Sequence, residues 1–170
     1  MATKSIPQND SIFEKVADFM VYDDFIVVSD PCYLINFDEN APFIAVPIAH
    51  HWAKGVSTAT VFKVKSSRGT RALVLTTLME PPVGLLDTKL TGHFYIVDHV
   101  GVDSGCVGFY NDDYVTAVEG KEWDSESPIE TSNGYWCETF RGDGLFPVVV
   151  WAENGIPHTF AVLTDMSYYE

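Results

Sequence analysis

Basic residues are scarce in this chain. Ten Lys and Arg stand against 24 Asp and Glu over 170 residues, a formal net charge of -14. A phosphate backbone is held by cationic side chains that displace counterions, so this balance excludes direct nucleic-acid binding. Cysteine is scarce as well: Cys32, Cys106 and Cys137 cannot all pair and show no CxxC spacing, which excludes a disulfide framework. No apolar run is long enough to cross a bilayer as a helix. The start, Met1-Ala2-Thr3-Lys4-Ser5, lacks the apolar stretch of a secretory signal, so the expected setting is the cytoplasm, with reduced thiols and no membrane. Established catalytic signatures are missing too. Gly142-Asp143-Gly144 is followed by no Gly-Lys-Ser/Thr, Ser104 has no GxSxG context, and the five histidines form no HExxH or HxH pattern.

What is present is ordinary folding material. Hydrophobic residues make up 46% and aromatics 14%, enough for one core without staples. Residues 1–10 read as a flexible tail and 11–170 as a single β-rich domain. Ser11-Ile12-Phe13-Glu14 has the form of a capping box, and Ile12, Phe13, Val16, Phe19 and Met20 recur at helical spacing. This predicts a short N-terminal helix ending near Met20. Strand patterns follow at 25–29, 43–46, 58–64, 71–77, 91–102 and 106–110. Asn154-Gly155 between apolar runs at 146–152 and 157–163 is a hairpin signal. Residues 120–134 read as an acidic loop. No βαβ alternation appears, so the expected class is α+β and β-rich: an antiparallel β-sandwich or partly closed barrel with a short N-terminal helix.

Three aspartates sit in short turns beside these strands: Asp30 before Pro31, Asp103 before Ser104-Gly105, and Asp143 between two glycines. Loops at strand ends are where β proteins place function. Asp30, Tyr33, Asp103, Ser104 and Asp143 are therefore the candidate ligand-binding residues. Converging carboxylates would suit a divalent cation or acid–base chemistry, although Asp in these contexts also forms turns by accepting neighbouring amide hydrogens. Cys32 and Cys106 have acidic neighbours, which disfavour a catalytic thiolate. Trp123, with Asp124 and Glu126 beside it in the acidic loop, is the candidate interface anchor.

Taken in order, Ser29-Asp30-Pro31, Val102-Asp103-Ser104-Gly105 with Gly108-Phe109, Gly142-Asp143-Gly144-Leu145-Phe146-Pro147 and the hairpin through Asn154-Gly155 resemble a group of bacterial and phage proteins known as a domain of unknown function. The resemblance runs from about residue 25 to 165. Two features depart from the group's pattern: Phe146 stands where tyrosine is commoner, and residues 120–134 look inserted. The resemblance implies a β-rich fold and a bacterial or phage setting, hence a host cytoplasm if phage-encoded, and brings no catalytic residue. The leading expectation is a non-enzymatic acidic binding protein that engages a host or toxin protein. Its catalytic residues are none, and no cofactor is required, though a divalent cation is compatible. The alternative is a carboxylate-dependent metal-binding hydrolase or a small-ligand-binding protein using Asp30, Asp103 and Asp143.

Overall fold

A computed structural model describes residues 12–20, 25–31, 46–49, 58–66, 69–82, 85, 94–111 and 134–165. All ten elements among them are strands: β1 (Glu14–Met20), β2 (Phe25–Ser29), β3 (Val46–Ala49), β4 (Thr58–Ser66), β5 (Gly69–Thr76), β6 (Phe94–Val102), β7 (Cys106–Asn111), β8 (Gly134–Glu138), β9 (Gly144–Glu153) and β10 (Ile156–Leu163). They form a six-stranded sheet in the order β1-β4-β5-β10-β9-β6 and a four-stranded sheet in the order β3-β2-β7-β8. Every ladder between these strands is antiparallel. The two sheets stay separate and open, so the partly closed barrel is not formed.

The alternation of the strands explains why the sheets stack. Ile26 and Val28 of β2, Val107 and Phe109 of β7 and Tyr135 of β8 pack in one cluster with Val61, Leu73, Leu75, Val148, Val150, Phe160 and Val162 of the large sheet. Side chains two residues apart share a face, so this cluster is the core between the sheets. The intervening residues of the large sheet, Phe62, Val64, Ala72, Val74, Val149, Ala161 and Leu163, form a second cluster with Leu85 on its other face. Pro81 and Pro82, which break the strand pattern after β5, are buried, and Leu85 donates its N–H to the Pro82 carbonyl. β5, β9 and β10 are therefore covered on both faces, which is why they read as continuous apolar runs.

The predicted N-terminal helix is corrected: Glu14–Met20 is strand β1, paired with β4. Its register shifts between Lys15 and Ala17, and such a bulge sets two successive residues opposite one. Val16, Ala17 and the buried Phe19 consequently pack on the inter-sheet core, while Phe13 packs on the outer cluster. The bulge reproduces the three-residue spacing of a helical stripe. A helix this short is marginal without its own packing, whereas an added strand satisfies the backbone of β4. Of the acidic loop read at 120–134, residues 120–133 lie outside the described residues, and Gly134 is the first residue of β8.

Candidate functional site

The topology brings two sheet-crossing turns side by side. β6 neighbours β9 in the large sheet, and β7 neighbours β8 in the small one. The turn from β6 to β7, Asp103-Ser104-Gly105, and the turn from β8 to β9 around Thr139 to Asp143 must then run next to each other between the layers. Thr139 N–H donates to the Gly105 carbonyl at 2.9 Å, joining them. Gly105 and Gly142 both have positive φ, 72° and 75°, a region that favours glycine because it has no Cβ.

Asp30 lies beneath the first turn. It follows β2, the strand that pairs with β7, and is wholly buried. Its Oδ2 accepts the N–H groups of Asp103 at 2.8 Å and Ser104 at 2.7 Å, and its Oδ1 accepts the Ser104 hydroxyl at 2.6 Å. A buried carboxylate is tolerated when donors surround it in this way. Asp30 thus acts as a staple between β2 and the β6–β7 turn.

The second turn is held from the large sheet. Phe140 N–H donates to Thr164 Oγ1 at 3.4 Å, and that hydroxyl donates onward to the Thr70 carbonyl. The Thr139 hydroxyl donates to the Gly142 carbonyl. Arg71 holds the buried Asp165 through Nε at 2.6 Å and Nη2 at 2.5 Å, and its guanidinium lies 5.7 Å from the centroid of the Phe140 ring. Sequence reasoning missed Arg71, Asp165, Glu138, Thr139 and Phe140. Arg71 and Asp165 are 94 residues apart, and no short motif marks such a pair.

Between the turns lies an open groove of about 290 Å³, lined by Ser104, Cys106, Glu138, Thr139, Phe140 and the backbone at Gly105 and Gly142. Cys106 and Glu138 are directly opposed across β7 and β8 and share a face. Burial, with the charges of Asp30, Cys137 and Glu138 added, pushes the Cys106 thiol up to about 12, against a partial offset from the Ser104 hydrogen bond. Burial also pushes Cys137 up to about 11. Neither is a nucleophile at neutral pH. Cys137 opposes Val107, one residue out of step with Cys106, so the two thiols project from opposite faces of the sheet and do not pair.

The structure therefore places four of the candidate residues at one end of the sandwich, in unequal roles. Asp30 and Ser104 bond directly, Asp103 joins through its amide while its side chain is exposed, and Asp143 is exposed beside Gly142. Among the described residues, no three His, Cys, Asp or Glu are placed to hold a metal. Tyr33, Trp123, Asp124 and Glu126 lie outside the described residues. No helix among the described residues is long and apolar enough to cross a membrane. No family model, curated protein or solved structure matches the chain.

Proposed function

We propose that this chain is a non-enzymatic acidic binding protein that engages a basic protein partner through the groove end of the sandwich. The observation that carries this reading is the commitment of Asp30. Its carboxylate accepts three donors from the β6–β7 turn, so the most buried acidic group at this end of the sandwich serves as a structural staple. The rim that remains, Asp103, Glu138 and Asp143, is exposed and anionic, in keeping with the net charge of -14. Such a surface speeds encounter with a cationic partner. In the bacterial or phage setting that the motif resemblance implies, the partner is a host or toxin protein. A reducing cytoplasm suits the unpaired thiols of Cys106 and Cys137.

Affinity capture from a bacterial lysate, followed by sedimentation of the purified pair, tests this. A stoichiometric complex is expected, weakened as salt rises from about 0.05 M to about 0.5 M because rim charges are screened. The absence of any stoichiometric partner at micromolar concentration overturns the reading.

A further inference from the structure

We infer that the groove between the β6–β7 and β8–β9 turns is a guanidinium site, which receives an arginine side chain of the partner. This rests on the binding-protein reading above and names the chemistry the site selects.

The argument comes from where the lining protons go. Ser104 gives its hydroxyl proton to Asp30, and Thr139 gives its own to the Gly142 carbonyl. A hydroxyl whose proton is committed offers a ligand only lone pairs. Glu138, exposed on the same rim, offers carboxylate oxygens and no proton. The side-chain oxygens of the lining are thus acceptors, with the Cys106 thiol the one weak donor beside them, and the matching ligand is rich in donors. A guanidinium carries five N–H groups in a planar fork and no acceptor.

Size and shape point the same way. At about 290 Å³ the groove stands at the small end of ligand pockets, which suits one side chain. Phe140 supplies an aromatic wall, and guanidinium groups stack on such rings. The Arg71 guanidinium already does so on Phe140, with its charge met by Asp165. Arg141, on the same turn, is exposed and is not part of the lining. Asp103 and Asp143 are exposed and adjoin the lining residues Ser104 and Gly142 in sequence, and the charges of Asp30 and Glu138 both act on Cys106 in the groove.

The test is an amide-resolved NMR titration of the full chain with N-acetyl-arginine amide, with N-acetyl-citrulline amide as a neutral probe of the same shape. Saturable shifts of the Ser104, Gly105, Thr139 and Gly142 amides are expected with the arginine probe and none with the citrulline probe. Glu138→Gln, at an exposed strand end, should weaken binding about threefold to fivefold, as loss of an exposed charge pair does. Phe140→Leu should weaken it further. Equal response to both probes, or a Glu138→Gln affinity equal to the parent's, overturns the inference. An oligo-arginine peptide separates the two levels. If it binds while moving only amides outside the groove, the guanidinium site is wrong and the acidic binding surface stands. If neither it nor the arginine probe binds at low salt, both fall.

Discussion

Asp30 was legible in the sequence as a strand-end aspartate before proline, but its partners were not, because they lie 73 and 74 residues further on. A local pattern records which residue can cap a turn and not which turn it caps. The consequence is testable at this single side chain. Asp30→Ala would leave two amide donors and a hydroxyl without their acceptor in a buried place, a loss of about 3 kcal/mol or more. Asp30→Asn keeps one carbonyl oxygen for the two amides and should lose clearly less. Urea unfolding of the two variants checks this, and an unchanged midpoint for Asp30→Ala would refute the staple. The cysteines carry a second residue-scale prediction. In the native state Cys106 stays protonated to about 12 against an ordinary value of 9.0, and Cys137 to about 11. The unfolded chain loses these protons first, so it binds fewer protons than the native state in that window. Stability is therefore intact below about pH 9 and falls as pH rises from there towards about 12. Site-resolved iodoacetamide labelling at pH 9 should mark Cys106 and Cys137 slowly in the folded chain and rapidly in urea; equal rates would count against their burial.

At the scale of elements, strands with a clear period or a strong turn were readable. β2 occupies the stretch read from its β-branched run, and the Asn154-Gly155 turn joins β9 to β10 with both residues at positive φ. β8 carries no strand pattern legible in the sequence, since five residues with two aromatics look alike as core or strand. β1 was misread because its bulge imposes a helical spacing on a strand. The fit of β7 to β8 depends on one absence of a side chain. A Cβ on Gly108 would sit 2.5 Å from the Tyr110 hydroxyl and 2.7 Å from Trp136 Cβ, and would strike the Tyr135 carbonyl. Tyr110 and Trp136 are buried, with ring centroids 6.1 Å apart, so neither can retreat without disturbing the other. Gly108→Ala is expected to cost roughly 3 kcal/mol through overpacking, read as a lower urea midpoint with the slope kept. A variant as stable as the parent would mean that this sheet face adjusts freely.

For the molecule as a whole, the layering predicts a gradient of local stability. β5, β9 and β10 occupy the middle of the large sheet, with apolar clusters on both faces. β1 and β6 are its edges among the described residues, and each carries a register shift, between Lys15 and Ala17 in one and between Ile96 and Asp98 in the other. Bulges at edges discourage pairing with further chains, and here they spare an edge that exposes Tyr95, Ile96 and Val97. The overall composition and the apolar runs of β5, β9 and β10 foretold a doubly covered sheet less clearly than a sandwich, since a run alone does not say what covers its second face. The covering residues, Leu85 and Phe13, stand outside the strands, and nothing local in either stretch shows which sheet face it covers. Native-state hydrogen exchange measures the gradient directly, because amides in the most covered strands open only with global unfolding. Amides at 73–75, 148–150 and 160–162 should exchange slowest and share one urea dependence. Those of β1 and β6 should exchange faster by local opening that is nearly independent of urea. If the β6 amides before the bulge are instead as protected as those of β10, that edge is covered in solution, and the sheet does not end where its register shifts.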